Sequence, residues 1–267
     1  MSGVRRVSID VDGVHVEGTE PGADRTRSTP ILCVHGGCHA SWCWDGWLEY
    51  FATHGRPAYA LDWYHHGRSR SLAPAEFVQR SIGDVCEEIG KVIDHLGTAP
   101  VLIGHSMGGL AVQAWAAQHT AAALVLLTPA APAQVGGAPI ELPFALDETM
   151  PFAPPPLAIA REMFFHGVPV ETAERLHARL CAESPRAVLE ATRHILSIDT
   201  ARVTAPMLVF AGELDFLTPP DLVARLARHY GADYTCLPGR GHSVLVEPGW
   251  RETAAAITTW LDGPLAT

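Results

Sequence analysis

Val101-Leu102-Ile103-Gly104-His105-Ser106-Met107-Gly108-Gly109 joins a short apolar run to a glycine-flanked serine, and an apolar, Ala-rich pattern continues to His119. The run has the length and composition of a buried strand, and residues 107–119 carry the spacing of a helix. G-x-S-x-G at such a junction predicts a sharp, strained turn that exposes the serine Oγ, with glycines where side chains would collide with neighbouring elements. The helix that follows points its first backbone N–H groups and positive dipole end at the same place. Ser106 is therefore the candidate nucleophile, and Met107 N–H a candidate donor to a developing oxyanion.

The same rhythm extends outward. Residues 31–34, 58–61, 124–127 and 207–210 are further short apolar runs, separated by helical patterns at 44–54, 74–96, 220–230 and 250–261. Such runs between helices are the signature of a mostly parallel, buried sheet. Residues 4–11 and 14–17 alternate around Gly13 and predict an opening hairpin, and residues 20–29 read as a loop. Residues 133–199 break the rhythm: a Pro-rich stretch precedes helical patterns at 157–166, 170–182 and 185–197, with no strand pattern. The expected organisation is an α/β core from residues 1–132 and 200–267, with 133–199 inserted as a helical lid.

Three loops at strand ends carry further chemistry. Ile31–Val34 runs into His35-Gly36-Gly37-Cys38, where a tight turn would offer Gly37 N–H as a second oxyanion donor. His35 reads as structural, its ring bonded to loop backbone. After residues 207–210 come Glu213 and Asp215, carboxylates just past a buried strand at the sheet edge where open α/β sheets bind ligands. Asp215 is the preferred acid and Glu213 its competitor, while Asp199 precedes its strand and belongs at the wrong end. Pro238-Gly239-Arg240-Gly241-His242 then delivers a histidine, the candidate base. A base must reach the serine proton while its other nitrogen meets a buried carboxylate.

Composition sets bounds. With 267 residues, 48% hydrophobic and 18% charged, the chain suits one large folded core. A formal net charge of −10 and the absence of a basic run argue against nucleic acid. Residues 1–10 lack the apolar stretch of a signal peptide, and no apolar run approaches the ~20 residues of a membrane span. The six cysteines show no metal-type spacing. A reduced, cytoplasmic protein without metal or organic cofactor is the simpler expectation, with a Cys38–Cys43 bridge left open.

Together these segments identify a resemblance. The HGG loop, D-x-x-x-H-G-x-S at Asp62–Ser69, GHSMGG at Gly104–Gly109, GELDFLTP at Gly212–Pro219 and GHSVLVEP at Gly241–Pro248 resemble the α/β-hydrolase superfamily over nearly the whole chain apart from residues 133–199. The resemblance implies the α/β-hydrolase fold and the chain order Ser…Asp…His. It does not name a substrate, because the fold hosts many activities. Departures narrow the field. Tyr64-His65-His66-Gly67 stands where relatives read Pro-Gly-His-Gly. Ser106 replaces the Asp nucleophile of dehalogenases and epoxide hydrolases, and Ser243 the lysine of plant hydroxynitrile lyases. Thr128-Pro129-Ala130 lacks the early carboxylate of quinolone dioxygenases.

The expected function is ester hydrolysis of a small, partly apolar molecule through an acyl-enzyme. A C–C bond hydrolase, a thioesterase or a non-catalytic binding protein is the alternative. Cys38 and Trp42 beside the oxyanion loop, and Phe164 and Phe165 in the insertion, are the expected substrate contacts. Phe144, Phe152, Met163 and Leu196 complete the expected roof, and His166 and His194 are additional polar candidates.

Overall fold

A computed structural model of the chain describes residues 3–22 and 29–265. Most of the loop expected at 20–29, and the first two residues of the N-terminal stretch, lie outside the described residues. Eight strands form one sheet: β1 (Arg5–Val11), β2 (Val14–Glu20), β3 (Ile31–Val34), β4 (Ala58–Leu61), β5 (Val101–His105), β6 (Ala123–Leu127), β7 (Met207–Gly212) and β8 (Asp233–Leu237). Their order is β1-β2-β4-β3-β5-β6-β7-β8. The hairpin β1–β2 joins β4 antiparallel, and all pairings from β4 to β8 are parallel.

The short strands β3, β4, β6 and β7 are apolar and buried at every position because helices cover both faces. Leu32, Val34, Leu102, Leu126 and Val209 face one layer, where α3 (Cys86–Leu96), α4 (Met107–Ala116) and α8 (Pro220–Tyr230) contribute Ile89, Val92, Leu110, Val112, Leu222 and Leu226. Ile31, Cys33, Ile103, Val125 and Phe210 face the other, against Trp47, Leu48 and Phe51 of α1 (Asp45–Thr53) and Ile257 and Leu261 of α9 (Trp250–Leu261). Two-sided burial removes the alternation of a half-exposed strand. Each large apolar side chain so buried contributes ~1.5–3 kcal/mol.

One expected element is corrected. The helix read at 74–96 is α2 (Pro74–Val78), a 3-10 turn at Ile82–Val85, and then α3. The periodic apolar positions run through the break, but Ser81 is extended and starts a new capping box. Its hydroxyl accepts from Gly83 N–H at 3.0 Å, and Asp84 accepts from Ser81 N–H at 2.8 Å. Glu190 fixes the break from outside, accepting from both the Ser81 hydroxyl and Ile82 N–H.

Residues 133–199 lie between β6 and β7 and hold α5 (Leu157–Met163), α6 (Val170–His177) and α7 (Pro185–Arg193), each ending earlier than its periodicity suggested. An isolated antiparallel bridge joins Phe152 to Glu183. The described cysteines are all free, so Cys38 and Cys43 are not bridged. Among the described residues no helix is long and apolar enough to cross a membrane.

Sheet order positions the loops. β3 lies beside β5 with Val34 opposite Gly104, so the loops leaving these strands start side by side at the carboxyl edge. The approach is close enough to exclude side chains: a Cβ on Gly108 would stand 2.3 Å from the His35 carbonyl oxygen and 2.4 Å from that of Val34. Gly108→Ala should therefore cost ~1–3 kcal/mol or more. Gly90→Ala, inside α3 with only the Trp115 ring nitrogen 3.8 Å from the new methyl, should gain ~0.5–1 kcal/mol from helix propensity. Urea denaturation of both variants checks the opposite signs.

Candidate active site

Ser106 occupies the turn between β5 and α4 with φ 53° and ψ −121°, a conformation that L-residues seldom adopt. Strain of this kind costs ~1–3 kcal/mol and persists only where surroundings enforce it. Here Ser106 N–H donates to Leu127 at 3.1 Å, and its carbonyl accepts from Ala130 N–H at 3.0 Å. Gly104 and Gly109 make room: a Cβ on the first would meet the Gly108 carbonyl oxygen at 2.5 Å, and on the second the Pro129 Cβ at 2.7 Å.

His242 stands beside this serine, its Nε2 2.9 Å from Ser106 Oγ and its Nδ1 2.8 Å from Asp215 Oδ2. Both His242 and Asp215 are buried. Asp215 Oδ1 accepts from the N–H groups of Leu217 (2.8 Å) and Thr218 (3.0 Å), and Oδ2 also accepts from Thr218 Oγ1 (2.6 Å). A carboxylate so surrounded has one place left for an imidazole N–H. Nδ1–H therefore points at Asp215, and the bare Nε2 faces the serine hydroxyl. Glu213, the competing acid, accepts instead from Gly239 N–H at 2.7 Å and points away.

The backbone of His242 is pinned as firmly as its ring. Its carbonyl accepts from Thr128 Oγ1 (2.7 Å) and His105 Nε2–H (3.1 Å). Thr128 holds this contact from φ 42°, a genuine outlier for a β-branched residue. Sequence reading noticed Thr128 only as the place where a carboxylate was missing.

The oxyanion loop is equally constrained. His35 Nδ1–H donates to the Gly36 carbonyl at 2.8 Å, and its Nε2 accepts from Trp63 N–H at 3.1 Å, the structural role expected of it. The Gly37–Cys38 peptide is held at both ends: its carbonyl accepts from His39 Nδ1–H at 2.8 Å, and its N–H donates to Glu183 Oε2 at 3.1 Å. Asp62 braces the adjoining loop, accepting from Ser41 N–H (2.6 Å) and Arg68 N–H (2.8 Å). Among the described residues, neither Gly37 N–H nor Met107 N–H donates to another protein group, and both residues line a cavity of ≈ 60 Å³ beside Ser106.

The cavity wall is largely apolar. Cys38 and Phe164 line it, with Leu142, Phe152, Met163 and Leu217. Trp42 and Phe165 do not. Trp42 stacks on His39 with ring centroids 5.2 Å apart, and Phe165 is buried in the apolar cluster around α5 and α6, edge-on to the same ring. Their position in the chain placed them nearby but could not say which face they present. His166 and His194 also stay outside the wall; His194 bonds the Ala138 carbonyl at 3.2 Å. Among the described residues there is no group of three or more His, Cys, Asp or Glu that could hold a metal ion.

The description "Alpha/beta hydrolase family" matches residues 31–256, most of the chain and every loop just described. The chain belongs to the alpha/beta hydrolase family. It is 27% identical over 250 residues to a monoacylglycerol lipase of Mycolicibacterium smegmatis, covering 86% of this chain and 87% of that one. Methylesterase 3 of Arabidopsis thaliana is 30% identical over 98 residues, 34% of each chain. A thermophilic esterase from Thermogutta terrifontis superimposes with a TM-score of 0.72 at 22% identity, covering 97% of this chain and 99% of that one, which shows a shared fold.

One feature of this family member escaped sequence reading. Glu183, from the segment between β6 and β7, pairs with His66 Nε2 at 3.1 Å, and both side chains are buried. Burial alone would discharge both, but mutual attraction and the hydrogen bond outweigh it, so His66 is raised above 6.5 and Glu183 held below 4.5. The departure at Tyr64-His65-His66-Gly67 was a signal of the loop, but its partner lies 117 residues away. Removing one member of a buried pair strands the other charge, at a cost of ~3–5 kcal/mol. A raised imidazole contributes stability that is complete below its unfolded value of 6.5 and fades as pH climbs through the folded one. His66→Gln should therefore be markedly less stable than wild type near pH 6, and the gap should narrow in more alkaline buffer, measured by denaturation across pH.

Proposed function

We propose that the protein is a serine hydrolase of esters, with Ser106 as nucleophile, His242 as base and Asp215 as the orienting acid. The observation that carries this reading is the continuous relay from Asp215 Oδ2 through His242 to Ser106 Oγ, at 2.8 and 2.9 Å, opening on a cavity lined by Gly37 and Met107. Relatives named as a lipase and a methylesterase support ester bonds as the substrate.

In this mechanism an ester carbonyl enters beside Ser106. Oγ attacks it while Nε2 of His242 takes the hydroxyl proton, and Asp215 stabilises the imidazolium. The carbonyl oxygen becomes an oxyanion, which accepts from Gly37 N–H and Met107 N–H beside the positive end of α4. His242 returns the proton to the departing alcohol, leaving an acyl-serine. Water, deprotonated by His242, then releases the acid. No step calls on a metal or organic cofactor. The narrow apolar cavity favours a small neutral ester, and the helices of residues 133–199 act as a lid whose wall residues sort acyl groups.

Two experiments test this. Ser106→Ala should abolish both hydrolysis of p-nitrophenyl esters and fluorophosphonate labelling while remaining folded. Asp215→Asn should lower kcat by ~10⁴, the cost of losing the orienting carboxylate, far more than Glu213→Gln; the reverse order would move the acid to Glu213. For the lid, Phe164→Ala should shift the hexanoyl-to-acetyl ratio of kcat/KM by roughly tenfold. Phe165→Ala should instead lower stability by ~3–5 kcal/mol and leave that ratio nearly unchanged.

A further inference from the structure

Among the described residues the cavity wall carries no lysine or arginine, and apart from the proposed catalytic residues it is mainly apolar. Two further imidazoles, His39 and His105, interrupt it, together with Thr192 and Thr218. His39 lines the cavity, is buried, and donates through Nδ1–H to the Gly37 carbonyl at 2.8 Å. A carbonyl oxygen can only accept, so the ring proton sits on Nδ1 and Nε2 is a bare acceptor. That Nε2 is fully buried and has no hydrogen-bond partner among the described residues. Burial pushes the ring down to about 4, so at neutral pH the nitrogen stays unprotonated.

The ring has little freedom to satisfy itself by turning. Trp42 stacks on it at 5.2 Å, and Phe164 (5.6 Å) and Phe165 (6.3 Å) stand against it edge-on. A second bare nitrogen, His105 Nδ1, is also unpartnered, but it faces Gly36, where a Cβ would stand 2.9 Å away. His105 lines the same cavity, but the close packing of Gly36 against its bare nitrogen leaves His39 as the candidate acceptor. A buried acceptor without a donor is unfavourable, and a ligand that brings the donor recovers that loss.

We propose that His39 Nε2 is a substrate-recognition acceptor, and that the preferred esters are neutral molecules carrying a hydroxyl or N–H group near the scissile carbonyl. This rests on the ester-hydrolase reading for the identity of the bond cleaved. The bare nitrogen repels a carboxylate at the same point, and no cation in the wall offsets it, so anionic esters are disfavoured.

The test pairs hydroxylated esters (lactate, β-hydroxybutyrate and ethylene glycol monobutyrate) with their O-methyl ethers. At least one hydroxy ester should exceed its ether by tenfold or more in kcat/KM. In His39→Asn the amide can still donate to Gly37 but nothing replaces Nε2, so that ratio should fall towards one. A ratio that survives in His39→Asn, or equal rates for every pair in the wild type, overturns the inference and leaves ester hydrolysis standing. Nitrogen NMR of Ser106→Ala gives a readout independent of turnover. The Nε2 resonance should lie at the position of a bare imidazole nitrogen and move upfield with a hydroxy ester but not with its ether. A resonance already shifted without ligand and unmoved by any ester would mean that water completes the nitrogen, which also overturns the inference. Movement in the variant, with no ester cleaved by wild type, would instead support recognition and sink the hydrolase reading.

Discussion

The left-handed backbone at Ser106 is the constraint on which the site depends. A serine at φ 53° is costly. What keeps it there is the close approach of three elements, β3, β5 and the start of α4, possible only because Gly104, Gly108 and Gly109 have no side chains to collide. The apolar sheet beneath supplies the cohesion, and the turn presents the Ser106 hydroxyl to the cavity at the carboxyl edge.

From that point outward, each polar group is fixed by another that is itself fixed. Asp215 is saturated by donors on its own loop, which leaves His242 one tautomer. The carbonyl of His242 is tied to β5 through His105 and to the end of β6 through Thr128. On the opposite side of the cavity, His39 and Glu183 grip the two ends of the Gly37–Cys38 peptide, and His35 holds the carbonyl of the preceding peptide, which carries Gly37 N–H. Such preorganisation favours charge development because little has to move when the charge appears.

Much of this was legible in the sequence because it is local. Strand, glycine, serine and helix are consecutive at Ser106, and Gly37, Asp215 and His242 each lie a few residues beyond an apolar run. The unreadable parts depend on contacts across the chain or on side-chain direction. The capping box at Ser81 lay in plain view but was overridden by a continuous apolar stripe. Glu183 gave no sign of its role, since it meets Cys38 across 145 residues. Trp42 and Phe165 were expected in the wall and stand behind it, because proximity in sequence does not say which side of a loop or helix faces the cavity.

The wiring of Glu183 bears on how the segment between β6 and β7 can diversify. A segment that only roofed a cavity could be exchanged among relatives as a free module, altering substrate range at no structural risk. Here it also supplies the counter-charge for His66 and an acceptor for Cys38 N–H. A chimera that imports a foreign segment into this scaffold would leave an imidazole buried without its carboxylate and one end of the Gly37–Cys38 peptide unheld. The unit of exchange is therefore the segment between β6 and β7 together with the loop after β4, two stretches far apart in the chain that have to change in step.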